Sequence, residues 1–183
     1  MSYRVLILII IIKFTSSLNV SALNEKLLLE SIEDNWNKIN TMSGSFIQYN
    51  YDETMSYGNF YLSKPFKSKF IYQNSNETII TTKTLIVVLD EKGFRVDSYP
   101  LFNSPIKNLL ITNFDFENLN ANIRLNEENN FYNIYIDDLE DRKVIIFSFT
   151  KESLDLKKWE IVDEFDQSTI FEFTKTKKNI SIA

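Results

Sequence analysis

Residues Tyr57 to Tyr72 read YGNFYLSKPFKSKFIY, and no other stretch restricts the fold as much. Phe60 and Leu62 share one side of an extended segment before Lys64-Pro65, and Phe70 and Tyr72 share one side after it. Alternation of period two predicts a strand with one apolar face on each side of the break. Pro65 cannot donate to a strand ladder, so it marks an edge, a bulge or a turn. A lysine is thereby placed beside a backbone break and next to an aromatic face. The rest of the chain must continue that face and supply something apolar to cover it.

Both are present in the pattern. Leu28, Ile32, Trp36 and Ile39 fall at helical spacing within Leu23 to Thr41, which predicts an amphipathic helix ended by Met42-Ser43-Gly44. Gly44 to Tyr51 begins the strands. Glu77 to Thr81, Leu85 to Asp90 and Phe94 to Tyr99 are three more, joined by Thr82-Lys83 and Glu91-Lys92-Gly93 into a meander. Leu85 to Leu89 is apolar throughout, so both of its faces are expected to be covered. Asn103-Ser104-Pro105 opens a short helix with Pro105 in its first turn and with Leu109 and Leu110 along it. Phe114 to Leu119 reads as another helical turn. Ile123 to Leu125, Phe131 to Ile136, Lys143 to Phe149, Leu156 to Phe165 and Thr169 to Thr174 complete about ten strands beside two or three helices. Short connections favour antiparallel pairing. A run of strands that long curls into a barrel or splits into a sandwich.

The N-terminus constrains where such a fold works. Arg4 precedes an unbroken apolar run from Val5 to Ile12, and Val20-Ser21-Ala22 offers small residues for cleavage after Ala22. Residues 1–22 are therefore expected to be a signal peptide and 23–183 one exported domain. The competing reading is a retained membrane anchor, but the run falls short of the ~20 apolar residues that a span needs. Cleavage removes Arg4 and Lys13 from a chain whose net charge is already −5. An acidic chain with no basic run does not bind nucleic acid. With no cysteine, no disulfide supports the fold and no thiol chemistry is available. Two tryptophans, nine tyrosines and fifteen phenylalanines supply the core instead.

Catalysis is sharply restricted. The absence of histidine removes Ser-His and Cys-His machinery and the usual zinc sites. Three glycines in the whole chain leave no glycine-rich phosphate loop. Asp137, Asp138, Glu140 and Asp141 are the densest acidic cluster. A carboxylate pair supports glycoside hydrolysis in principle. The cluster reads better as a solvated hairpin turn, and it lacks the glycine and ligand spacing of a calcium loop. No catalytic residue, metal or cofactor is expected. The surplus of aromatic residues then either fills a sandwich core or lines the cavity of a barrel that binds an apolar ligand.

The order of features resembles the periplasmic outer-membrane lipoprotein carrier family, LolA, over about residues 25 to 175. Ser43-Gly44-Ser45-Phe46-Ile47-Gln48 is similar to the family's small-x-Phe-x-Gln strand. Gly58-x-Phe60-x-Leu62-x-Lys64-Pro65 followed by Phe70-x-Tyr72 resembles its most recognisable segment. Leu85 to Asp90, then Ser104-Pro105 with Leu109-Leu110, resemble the next strand and the entering helix. Leu154 with Trp159, then Asp163-x-x-Asp166-Gln167-x-Thr169, resembles the late hairpin. Departures are Lys64 for an arginine, Thr82-Lys83 for an Asp-Gly turn, Asp166 for a glycine, and Ser68 for an apolar residue.

The resemblance implies an unclosed antiparallel β-barrel with two or three helices as a lid. It implies a monomeric periplasmic shuttle and chaperone of a Gram-negative bacterium. Such a shuttle takes triacylated lipoproteins from an inner-membrane ABC transporter to an outer-membrane acceptor lipoprotein, where one exists. Phe60, Leu62, Phe70, Tyr72, Val87 and Leu89 would line the acyl cavity. Leu28, Ile32, Trp36, Ile39, Leu109 and Leu110 would form the lid, with Lys64 as its lock. The alternatives are a lipid-binding barrel for envelope sensing and a small secreted glycosidase.

Overall fold

The computed structural model describes residues 23–104, 106–119, 121–138 and 143–181. The expected signal peptide, Pro105 and most of the acidic Asp137–Asp141 cluster lie outside the described residues or at their margin. Helix α1 covers 23–37. Six strands follow in a meander: β1 Thr41–Tyr49, β2 Met55–Ser63, β3 Lys67–Tyr72, β4 Thr78–Thr81, β5 Leu85–Leu89 and β6 Arg95–Pro100. A 3-10 turn at Leu101–Asn103 and helix α2, Ile106–Leu110, lead to five more. These are β7 Ala121–Glu128, β8 Phe131–Asp138, β9 Val144–Thr150, β10 Leu156–Val162 and β11 Ser168–Lys178.

All eleven strands form one antiparallel sheet in the order β6-β5-β4-β3-β2-β1-β11-β10-β9-β8-β7. Every neighbour in that order is also a neighbour in sequence, except β1 and β11. The first strand pairs the last, and the two free edges, β6 and β7, flank the crossing segment that carries α2. The sheet is therefore unclosed, and its gap coincides with the one connection long enough to leave it.

One apolar core gathers Met42 and Phe46 of β1, Phe60 and Leu62 of β2, Phe70 and Tyr72 of β3, with residues of β8 to β11. Ile32 and Trp36 of α1, Ile39 just beyond it, and Ile106, Leu109 and Leu110 of α2 enter the same core. Aromatic rings cross it from strand to strand. Phe46 meets Phe70 at 5.4 Å and Tyr72 at 5.0 Å, both edge to face, and Phe60 meets Phe173 at 4.9 Å. Pairs of this kind contribute ~0.5–1.5 kcal/mol beyond the area they bury.

Two motif glycines make room for those rings. A Cβ at Gly58 would lie 1.9 Å from the Ile71 carbonyl oxygen and 3.0 Å from the Phe46 ring. One at Gly44 would lie 2.6 Å from the Thr174 carbonyl oxygen and 3.0 Å from the Phe60 ring. Gly58 pairs Phe46 on β1, and Gly44 pairs Phe60 on β2. Each phenylalanine thus lies across a glycine of the neighbouring strand.

Several expectations need correction. Helix α1 stops at residue 37 rather than Thr41, because strand contacts capture the backbone after it. Lys64 N–H donates to Asn40 O at 2.8 Å, and Asn40 N–H donates to Asn179 Oδ1 at 2.8 Å. Phe114 to Leu119 is a set of turns, not a helix. Two of its N–H groups are taken by side chains of α1, Phe114 N–H by Asn37 Oδ1 and Phe116 N–H by Glu33 Oε1, and Leu119 N–H closes a single tight turn on Phe116 O. Strand β5 is not covered on both faces. Leu85 is exposed and Ile86 to Leu89 are half-buried. The sheet has eleven strands rather than about ten.

Gly58→Ala should destabilise the protein by about 2–3 kcal/mol in urea unfolding, since a methyl group driven into a backbone carbonyl forces the ladder to shift. A loss under about 0.5 kcal/mol would show that the β2–β3 ladder relaxes around it.

Candidate functional site

The β2–β3 turn, where Lys64-Pro65 interrupts the sequence, touches both helices. Lys64 Nζ donates to Trp36 O at 2.8 Å, in the last turn of α1, and lies 4.3 Å from the centroid of the Trp36 ring. Two residues on, Phe66 N–H donates to Leu110 O at 2.9 Å, the last residue of α2. The Lys64-Pro65 peptide is cis, and Phe66 adopts a left-handed φ of 63°. A helix C-terminus carries partial negative charge and unpaired carbonyls, so an ammonium and an N–H aimed at two such ends are favourable contacts.

Further bonds hold α1. Asn37 grips residue 114 twice, its Nδ2 donating to Phe114 O at 2.8 Å while its Oδ1 accepts Phe114 N–H. Glu33 Oε1 accepts Phe116 N–H at 2.7 Å, and burial raises the Glu33 carboxyl above its usual range. On the other flank, Asn35 Nδ2 donates to Leu154 O at 2.8 Å, in the β9–β10 turn. Lys26 pairs with Glu117 at 2.9 Å at the exposed end. Polar side chains thus fasten α1, while Ile32 and Trp36 fill the interior. Sequence reasoning identified the apolar stripe of α1 but not these anchors. Asn35 and Asn37 are ordinary helix-surface residues in the sequence, and only the register of distant segments gives them partners.

The structure brings together most of the residues expected to line the interior. Phe60, Leu62, Phe70 and Tyr72 are buried in one core with Ile32, Trp36, Ile39, Leu109 and Leu110, and Leu28 packs half-buried against it. Val87 and Leu89 are a correction. Phe70 pairs Ile79, which pairs Val88, and Ser68 pairs Thr81, which pairs Ile86. Ile86 and Val88 therefore continue the Phe70 face, and Val87 and Leu89 point the other way. Val87 pairs Ile80, which pairs the exposed Lys69. An all-apolar strand carries no alternation, so its facing was set by register alone.

The departures from the family pattern are accommodated. Ser68 is buried with its hydroxyl 3.0 Å from Thr81 Oγ1, which lies 2.9 Å from Phe66 O; Thr81 gives its one proton to the carbonyl and accepts that of Ser68. Asp166 takes a positive φ of 60°, which aspartate tolerates better than most residues, and Asp163 Oδ1 accepts Phe165 and Gln167 N–H beside it. Gln48 Oε1 accepts the Tyr72 hydroxyl at 2.6 Å, so the strand's glutamine satisfies the one phenol that enters the core. Burial pushes that phenol well above its usual value.

Beside the lysine turn, a depression of about 600 Å³ has a floor of Pro65, Phe66 and Ile80, with Lys67 and Lys83 among its lining. Among the described residues no group of acidic side chains is placed to hold a metal ion, and no helix is long and apolar enough to cross a membrane. Asp137, from the acidic cluster, pairs with Arg124 at 3.0 Å.

A family model described as outer membrane lipoprotein carrier protein LolA matches residues 37–183. The sequence matches no curated protein. Among solved structures, an uncharacterized conserved protein from Thermus thermophilus superposes with a TM-score of 0.53 at 11% identity, covering 84% of this chain and 88% of that one. MucB superposes with a TM-score of 0.50 at 12% identity, covering 85% of this chain and 60% of that one. The MucA/MucB complex of Pseudomonas aeruginosa gives 0.48 at 12% identity, over 84% and 59%. The chain thus spans about 60% of the length of the MucB structures it matches.

Burial lowers the Lys64 ammonium from 10.5 to about 8. The unfolded chain keeps that proton up to about 10.5, the folded one only to about 8, so between these values the unfolded state binds more protons and stability rises with pH. The stability of the wild type relative to Lys64→Met should therefore increase from about pH 7.5 to about pH 10, read by denaturant unfolding. A difference that stays flat would place the ammonium in water, and one that falls would mean that the fold favours its charge.

Proposed function

Because the chain belongs to the LolA family of outer membrane lipoprotein carriers, we propose that it binds the acyl chains of triacylated lipoproteins and carries them through the periplasm without catalysing a reaction. In this reading residues 1–22 direct export, 23–183 form one domain, and the curled sheet is an unclosed barrel with α1 and α2 as its lid. An inner-membrane ABC transporter would load the carrier and an outer-membrane acceptor would empty it.

The observation that carries the reading is how the interior is filled. The aromatic face of the sheet is covered by two helices, one before β1 and one after β6, and the two meet at one turn through Lys64 and Phe66. Lys64 bonds the end of α1 and Phe66 the end of α2, so one turn of the sheet touches both covering helices. An apolar depression lies beside the same turn, at Pro65 and Phe66.

Magnitudes favour a self-covering carrier. Each buried CH₂ contributes ~0.8 kcal/mol, so one long acyl chain gains roughly 10 kcal/mol. Three chains buried without an opposing cost would approach the ceiling of non-covalent affinity, ~18–21 kcal/mol, and would never be released. Cargo must instead displace Ile32, Trp36, Leu109 and Leu110 from the core. Only the difference between the two fillings sets the affinity.

Lys64 should then tune release. It makes one charge-assisted bond to Trp36 O, where an arginine's planar fork offers more donors. Such a bond contributes ~1.5–3 kcal/mol, and its loss shifts the closed-to-open balance by tenfold or more. In a reconstituted transfer assay, Lys64→Leu should accept lipoprotein normally and hand it on at least tenfold more slowly. Wild-type transfer would reduce Lys64 to a structural contact. Purified protein that holds free lipid, and never lipoprotein, would favour envelope sensing over carriage.

A further inference from the structure

Two buried side-chain polar atoms among the described residues have no hydrogen-bond partner, and both are indole nitrogens: Nε1 of Trp36 and of Trp159. Trp36 is 2% exposed and Trp159 4%. A buried donor left unpaired is costly and uncommon in native proteins. A phenylalanine would fill an apolar core without that cost. The chain has only these two tryptophans, and both place an orphan N–H in the interior.

Their placement is complementary. Trp159 belongs to the wall: it pairs Phe147 on β9 and Phe171 on β11, and stacks on Phe171 at 4.9 Å with the rings 17° apart. Trp36 belongs to the cover, on the last turn of α1 under the Lys64 ammonium. The other polar side chains of the core face are engaged. The Tyr72 hydroxyl is held by Gln48, and Thr81 and Ser68 bond each other. Among the described residues, the buried side-chain donors without a partner are therefore one indole on the sheet and one on the helix that covers it.

Indole N–H donates and cannot accept. Its partner must be an acceptor that can enter an apolar interior, and the carbonyl oxygen of an ester or amide joined to a hydrocarbon chain fits. An ether oxygen is a weaker acceptor, and a bare hydrocarbon offers none. Resting on the carrier reading above, we propose that Trp159 is a specificity-determining residue whose indole N–H binds the linkage carbonyl of an acyl chain. The site then selects carbonyl-linked acyl chains over alkyl ethers of equal length.

The test uses two synthetic lipopeptides with the same peptide and chain length, one with ester-linked palmitoyl chains and one with ether-linked hexadecyl chains. Each displaces a fluorescent acyl probe from wild-type protein and from Trp159→Phe. The wild type should bind the ester form about five- to tenfold more tightly, the value of one net hydrogen bond. Trp159→Phe should bring the two within about twofold by weakening the ester form alone. Equal wild-type affinities, or an undiminished preference in the variant, would overturn the assignment while leaving the carrier reading intact. Binding of neither form would overturn both. Should the variant not fold, the indole resonances of the wild type decide. The Trp159 Nε1 proton should move downfield with the ester form and not with the ether form, and no such difference would overturn the assignment.

Discussion

A sheet that buries only one face needs a cover for that face, and the rest of this structure follows from how the cover is supplied. The strands run as an unbroken meander except at one place, between β6 and β7, where the sheet is open and α2 crosses. The other covering helix precedes the first strand. Neither helix is long enough to be stable alone. A five-residue helix such as α2 exists because Ile106, Leu109 and Leu110 are buried, not because of its propensity. Cover and sheet thus depend on each other, and the aromatic interior is the term that binds them.

Against that large apolar term stands a small set of directional bonds that fixes where the cover sits. Lys64, Phe66, Asn35, Asn37 and Glu33 each bond the backbone of a segment distant in sequence. Individually these bonds are modest, ~0.5–1.5 kcal/mol net for the neutral ones. Their arrangement gives geometry rather than bulk stability. Lys64 shows the balance: its charge is favourable beside the end of α1, yet burial draws its ammonium down to about 8. A cover held this way is specific in position and limited in strength.

How much of this was legible depended on whether a residue's role was local. The glycine-flanked aromatic alternation, the turn at Pro65 and the apolar stripe of α1 are short-range patterns, and they placed Phe60, Leu62, Phe70, Tyr72, Ile32 and Trp36 in one core. Val87 and Leu89 were misplaced because a strand that is apolar at every position has no period to read, and its facing came from Phe70 through β4. Phe114 to Leu119 reads as a helical turn, but the segment is pinned at Phe114 and Phe116 by side chains of α1 that lie far away in sequence. The anchoring asparagines and the orphan indoles are invisible in a sequence, since each is defined by what lies opposite it in space.

The central claim is that acyl cargo takes the space that α1 fills in this structure. With no native cysteine, two spin labels can be placed without background, at Asp34→Cys on the exposed side of α1 and Glu164→Cys in the exposed β10–β11 turn. The distance between them, measured by pulsed electron resonance with and without a triacylated lipopeptide, reports the position of the helix directly. The account predicts one distance in the empty protein and a second population on loading, displaced by about a helix diameter, on the order of 10 Å. An unchanged distribution in protein that holds the lipopeptide would contradict it.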